Sequence, residues 1–191
     1  MSERFPLAER AVPGAGRPVE NAAAITLSER RPGSVVEIAL WDENTNVSKA
    51  IGLTAQPRPG SVVASPGLLC LSTAPGRLTV IAQQPGLAER IATATDLDRG
   101  TVVDQTHGRA GLRISGAPAA TLVQKGVSFD VSAFAPMSAT NAGLHHMSAT
   151  VVRLDAVTFD LFVATSLAGS LWDRVADAAI EYGWRTGTPV F

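Results

Sequence analysis

The most regular hydrophobic pattern in the chain lies near its end, where apolar residues recur at the spacing of a helix. One face would carry Leu167, Leu171, Val175, Ala179 and Tyr182. The other, wetter face would carry Asp173, Arg174, Asp177 and Glu181. Ser166 is suited to cap the start of such a helix, and Gly183 is suited to end it. The pattern therefore predicts a long amphipathic helix over residues 167–182.

Strand-like patterns precede that helix in residues 108–191. In residues 158–164, Phe159, Leu161 and Val163 point to one face and Asp160 to the other, which is the period of two expected of a strand. A strand at residues 111–115 is followed by a short helix that Gly126 would end as a left-handed cap. The remaining predicted strands are residues 139–146 and 148–154. Together these elements predict an antiparallel meander backed by helices.

Residues 34–107 predict a second unit of similar plan. Its order is strand, helix, two strands, helix, strand, the split βαβ or ferredoxin-like arrangement, and Asn46 would cap the first helix. The predicted strands are residues 34–41, 68–72, 78–82 and 101–105, and the predicted helices are residues 47–53 and 87–95. The fold class is thus α+β, with two small βαββαβ-like halves (34–107 and 108–191) whose antiparallel sheets are backed by helices.

Residues 1–33 do not share this regularity. They are rich in Pro, Gly and charge, apart from a short apolar patch at residues 22–27. Such a segment alone buries too little apolar surface to offset the entropy of ordering it. Two interpretations stay open: an extended, partly disordered N-terminal arm, or an arm that orders against a neighbouring subunit.

Composition narrows the possible partners. Of 191 residues, 46% are hydrophobic and 17% charged, with a formal net charge of −1. A surface that is short of charge tends to be covered by something, and the chain has no basic stripe that could neutralise several phosphates of a nucleic acid. Cys70 is the single cysteine and is expected to be a small buried hydrophobe. Because no secretory signal and no membrane-spanning run is evident, a cytoplasmic location without membrane contact is expected.

Candidate chemistry is sparse. His145 and His146 are adjacent in a predicted strand, so they would point to opposite faces and make a poor metal-chelating pair. His107 follows Asp104 by three residues, so a hydrolytic Ser/His/Asp arrangement can be imagined, but no G-x-S-x-G turn selects a serine. Asp96 and Asp98 fit a solvated turn better than an acid/base pair. No catalytic, cofactor-binding or metal-binding residue is predicted.

Several pieces occur in a distinctive order in the second half. The strand and turn LRISG at residues 112–116 precedes a short helix closing at Lys125-Gly126. An FDLFV strand then runs through Ala-Thr-Ser into a helix that begins SLAGSLWDRV. This order resembles the gamma subunit of heterotetrameric sarcosine oxidase. The same layout is similar to the folate-binding domains of the aminomethyltransferase family, so the resemblance implies an aminomethyltransferase-like fold.

The resemblance implies a noncatalytic subunit of a cytoplasmic oxidoreductase complex. Such a complex oxidatively demethylates sarcosine to glycine and transfers the one-carbon unit to tetrahydrofolate, as part of sarcosine catabolism and one-carbon metabolism. The implied partners are alpha, beta and delta subunits, which would hold FAD, FMN, NAD and tetrahydrofolate. This chain itself is expected to bind none of these cofactors.

Residues 135–147, APMSATNAGLHHM, match the family poorly, which keeps alternatives open. One is the small subunit of N-methylglutamate dehydrogenase, and another is a freestanding folate-binding aminomethyltransferase-like protein. For the subunit interpretation, we expect helix 167–182 and the N-terminal arm to form subunit contacts. Trp172 is expected to complete the core, and Trp184 to lie either in the core or at an interface.

Overall fold

The computed structural model describes residues 5–18, 23–42, 45–94 and 98–191. Within these residues the strands are β1 (Gly16–Arg17), β2 (Ile25–Arg30), β3 (Ser34–Leu40), β4 (Val62–Ser65), β5 (Leu68–Ala74), β6 (Arg77–Ala82), β7 (Gly100–Asp104), β8 (Arg109–Ser115), β9 (Ser138–Leu144), β10 (Met147–Arg153), β11 (Thr158–Ala164) and β12 (Trp184–Thr186). The α-helices are α1 (Ser48–Ile51), α2 (Leu87–Ala94), α3 (Ala119–Gln124) and α4 (Ala168–Ala179). The elements are those of a mixed α+β chain, as predicted.

The described residues form two compact units. Unit 1 is built from the described parts of Met1–Arg31, Arg109–Pro136 and Asn141–Val190. Unit 2 is built from the described parts of Pro32–Gly108, from Met137–Thr140 and from Phe191. The boundaries predicted after residues 33 and 107 lie close to the breaks after Arg31 and Gly108. Unit 1, however, takes residues from both ends of the chain.

Unit 2 contains an antiparallel five-stranded sheet in the order β4-β5-β6-β3-β7. Without the added edge strand β4, this is the strand order of a ferredoxin-like unit, the arrangement predicted for residues 34–107. Alternate residues of β3 (Val36, Ile38 and Leu40) pack with residues of α1 and α2 into one core. The N-cap position of α1 is held by Val47 without a side-chain cap, so Asn46 is not the predicted N-cap. Asn46 lies one residue earlier, and its Oδ1 accepts a hydrogen bond from the Ser48 backbone N at 2.8 Å.

Unit 1 contains a seven-stranded sheet in the order β1-β12-β2-β8-β11-β10-β9. Strands β2 and β12 run parallel, whereas β8 pairs antiparallel with both β2 and β11. The predicted alternation in β11 is confirmed, because Phe159, Leu161 and Val163 lie in the core that α3 and α4 share with the sheet. Asp160 lies on the other face but is fully buried, so this strand is covered on both sides.

Strand β2 is the largest difference from the sequence prediction. Residues 25–30 fall inside the segment expected to be an extended arm, yet they lie between β8 and β12. Ile25 and Leu27 are fully buried in the core of unit 1. The remaining residues of β2 are polar, which is why the segment does not look like a strand of a central sheet. Its pairing with β8 joins residues more than 80 positions apart, for example Leu27 with Ile114.

The C-terminal helix has the predicted buried face but a different start. A 3₁₀ turn at Thr165–Leu167 leads into α4, and no side chain caps it, so Ser166 does not act as the predicted N-cap. A second 3₁₀ turn, Ile180–Tyr182, ends at Gly183, whose φ of 64° confirms the predicted stop. The prediction that Gly126 adopts a left-handed conformation is wrong, since its φ is not positive. A Cβ at Gly126 would lie 2.7 Å from His145 Nε2, so a larger residue there would require the side chain of His145 to shift.

The adjacent histidines do not lie in a strand. His145 and His146 have φ of 44° and 68° and form the two-residue turn between β9 and β10. Positive φ at both central residues is the geometry that suits the twist of a hairpin. The expectation that the two side chains point to opposite faces of a strand is therefore wrong.

Candidate functional site

Asp104, one of the candidate hydrolytic residues, stabilises the turn that follows β7. Asp104 ends β7, and its Oδ1 accepts hydrogen bonds from Thr106 Oγ1 at 2.6 Å and Thr106 N at 2.8 Å. The hydroxyl bond is the main cause of the lowered pKa of Asp104, to which the charge of His107 also contributes. Thr106 Oγ1 in turn accepts a hydrogen bond from Val35 N. This arrangement fixes the end of β7 against β3 and directs the carboxylate to Thr106.

Metal-ligand geometry is not found in the described part of the chain. No group of three or more His, Cys, Asp or Glu side chains there is placed to hold a metal ion. Burial, Arg174 and His146 lower the pKa of His145. Asp96, half of the carboxylate pair considered above, lies outside the described residues, and Asp98 lies in the turn before β7.

A charged cluster is buried in unit 1. Asp160 receives two hydrogen bonds from Arg113, at 2.7 Å from Nε and 2.8 Å from Nη2. Arg30 Nε lies 3.2 Å from Asp160 Oδ2, and the side chains of Arg30 and Asp160 are both fully buried. Burial lowers the pKa of Arg30 to about 10, against the opposing attraction of Asp160. Burial also acts to lower the pKa of Arg113, but bonding to Asp160 outweighs it and raises that pKa.

A second buried carboxylate holds the N-terminal segment on unit 1. Glu29 Oε1 accepts a hydrogen bond from Leu7 N at 2.7 Å, and Glu29 Oε2 pairs with Arg31 at 2.7 Å. Leu7 is fully buried in the core of unit 1, and the guanidinium of Arg31 lies over the ring of Phe5 at 4.5 Å. Sequence reasoning missed both carboxylates. The signal for Asp160 is a charged residue inside an otherwise apolar strand, whereas Glu29 lies in a polar run that gives no such signal.

The remaining candidates are large aromatic residues and the charged residues on the outer side of α4. Trp172 is buried and meets the half-buried Trp184 edge to face, with ring centroids 5.8 Å apart. Trp172 is therefore a core residue, as predicted. On the outer side of α4, Arg10 pairs with Asp173 at 3.2 Å and so joins the N-terminal segment to the helix. Trp41 in unit 2 is 63% exposed, unusually high for a side chain of this size.

The described helices include none that is long and apolar enough to cross a bilayer. The described residues include buried ion pairs and also exposed aromatic and aliphatic side chains. Such side chains are typical of surfaces that contact other proteins.

Comparisons with known proteins identify the fold. No protein-family model matches the sequence, and no curated protein matches it. A chain of the heterotetrameric sarcosine oxidase from Corynebacterium sp. U-96, solved in complex with pyrrole 2-carboxylate, superposes with a TM-score of 0.81. The two chains are 21% identical, and the match covers 94% of this chain and 96% of that one.

The glycine cleavage system aminomethyltransferase T from Bartonella henselae is also similar, with a TM-score of 0.65 and 12% identity. The match covers 95% of this chain but spans only 58% of that protein. Both similarities confirm the predicted fold class. This chain has the aminomethyltransferase-like fold, in a form closely matched by a chain of heterotetrameric sarcosine oxidase.

Proposed function

We propose that this chain is a noncatalytic gamma subunit of a sarcosine oxidase type complex. The observation that carries the proposal is the nearly end-to-end correspondence with one chain of the Corynebacterium enzyme, 94% of this chain on 96% of that one. That enzyme is a heterotetramer, so a chain with this fold assembles with other subunits there. The aminomethyltransferase match supports the same fold but extends over little more than half of the enzyme.

The noncatalytic role is supported by the chemistry of the described residues. Asp160 pairs with Arg30 and Arg113, and Glu29 accepts a hydrogen bond from the backbone N of Leu7 in the N-terminal segment. Asp104 bonds to its own turn, and Cys70 is buried with its pKa raised to about 12 by desolvation. A thiol with so high a pKa is not a nucleophile near neutral pH. Redox chemistry would then belong to partner subunits that hold FAD, FMN, NAD and tetrahydrofolate.

The complex would oxidise sarcosine to glycine and pass the one-carbon unit to tetrahydrofolate. The test is recovery of the full chain, carrying an affinity tag, from the cells that make it. We expect larger subunits and a flavin absorbance spectrum to be recovered with it, and anaerobic addition of sarcosine to bleach the flavin. An untagged strain controls for background.

The alternatives predict different results. Faster bleaching by N-methylglutamate than by sarcosine would assign the chain to an N-methylglutamate dehydrogenase instead. Saturable micromolar binding of tetrahydrofolate by the isolated chain would favour a freestanding folate-binding protein. Recovery of the chain without any flavin-containing partner would contradict the proposal.

A further inference from the structure

A groove of about 370 Å³ opens in unit 2 between α1, α2 and the turn from β4 to β5. Its apolar side is formed by Ile51, Leu68 and Leu87, which belong to the core beneath or pack against it. Its polar side is formed by the exposed side chains of Gln83, Gln84 and Arg90. The groove thus combines a short apolar floor with one positive charge and two carboxamides.

The charge of the groove is not balanced by its own lining. Arg90 is the single ionisable residue among the lining residues. Within the described part of the chain, its guanidinium takes part in no hydrogen bond or ion pair. Glu89, its neighbour in α2, does not line the groove. The site is therefore complementary to a negative charge, and a carboxylate is the group that a guanidinium binds with two parallel hydrogen bonds.

We propose that this groove seats an acidic and apolar segment of a partner subunit. An Asp or Glu carboxylate of that segment would pair with Arg90, and an apolar side chain beside it would lie against Leu68. The two glutamine carboxamides can each donate and accept, which suits the backbone of an extended segment. The inference rests on the proposed function, because it requires a partner.

A protein segment fits this groove better than a free small molecule. The rim residues Gly52, Pro66, Gln83 and Arg90 are all exposed, so the groove is open on its outer side. A small carboxylate there would keep much of its surface in water, unlike ligands in enclosed pockets. A folded partner brings its own surrounding surface, which excludes water from the ion pair and strengthens it.

Competition between two tagged copies of the full chain in one cell tests the proposal. Wild type and Arg90→Glu carry different tags, and mass spectrometry measures their ratio in the purified flavin-containing complex. Dividing by their ratio in the soluble lysate removes differences in expression or folding. We expect Arg90→Glu to be disfavoured by about 10-fold or more. Arg77→Glu is the matched control, since Arg77 is exposed and lies outside the groove, and it should stay within about twofold of wild type.

Two further variants test the ion pair and the groove separately. Arg90→Gln removes the positive charge without adding a negative one, and it should be disfavoured by at least about threefold. Ser65→Trp narrows the groove from its rim and should also be disfavoured. Equal incorporation of Arg90→Gln and wild type would overturn the proposed ion pair, even if Arg90→Glu is lost. A wild-type chain that recovers no partner would instead contradict the proposed function.

Discussion

Replacing Asp160 by Asn should strongly destabilise unit 1. The carboxylate is fully buried and stands between two guanidiniums, at 2.7 Å from Arg113 Nε and 3.2 Å from Arg30 Nε. Asn keeps the size of the side chain but removes its charge. Two positive groups would then face each other with no negative charge between them. Arg113 has a side chain that is 21% exposed and can regain some hydration, whereas that of Arg30 is fully buried.

The size of the effect follows from this burial. Removing one partner of a buried ion pair costs about 3–5 kcal/mol, because the remaining charge stays desolvated. Arg113→Met should cost less, about 1.5–3 kcal/mol, since Asp160 keeps its pairing with Arg30. The combined change Arg30→Met, Asp160→Leu and Arg113→Met should bring stability back to within about 1 kcal/mol of wild type, because no buried charge is left unpaired.

Urea unfolding followed by tryptophan fluorescence measures these free energies. Trp172 and Trp184 both lie in unit 1, and Trp41→Phe removes the tryptophan of unit 2, so the signal reports on unit 1. Trp41→Phe alone is the reference protein. A loss of less than about 1 kcal/mol for Asp160→Asn would refute the reasoning, because it would mean that the cluster is not desolvated.

Three further predictions concern single side chains. His146→Gly should raise the free energy of unfolding by about 0.5–1 kcal/mol, because glycine adopts positive φ without strain; a loss of stability would contradict this. Because the pKa of His145 is lowered in the folded protein, the unfolded chain takes up a proton on this residue at a higher pH than the folded chain does. The wild-type protein should therefore lose stability as pH falls below about 6.5. His145→Asn should lose less over that range, as compared by thermal unfolding at each pH. Cys70 should resist iodoacetamide in the native protein and react once urea unfolds it; rapid native labelling would contradict its burial.

Local patterns predicted the elements that a repeat within one segment of the sequence defines. The alternation in residues 158–164 predicts β11 with its core face, whereas Asn46 lies one residue before the N-cap position of α1 that was predicted for it. The apolar face of α4 follows from helical spacing alone, and all its central residues are buried. These signals work because each depends on a period within one segment and on one face being covered.

Long-range pairing is what the sequence could not reveal. Strand β2 ends in Ser28, Glu29 and Arg30, a polar run that looks solvent-exposed when considered alone. All three are buried, because Arg30 meets Asp160 of β11 and Glu29 meets Leu7 and Arg31. Apart from Arg31, these partners are distant in sequence, and nothing close to β2 indicates them. The two-histidine turn was missed for a different reason, since it lacks the Asn-Gly or Asp-Gly pair that usually marks such a hairpin.

The position of β2 changes how the N-terminal segment can be tested as a subunit contact. Deleting residues 1–30 would remove a strand between β8 and β12, together with Leu7 and its bond to Glu29. Such a chain would expose two strand edges and the core of unit 1, so its failure to recover partners would report misfolding rather than a lost contact. Point changes on exposed groups avoid this. Val12→Asp on the N-terminal segment and Ile180→Asp beyond α4 alter side chains that are 52% and 40% exposed. Loss of partner recovery in either variant, with unfolding unchanged, would assign that surface to an interface.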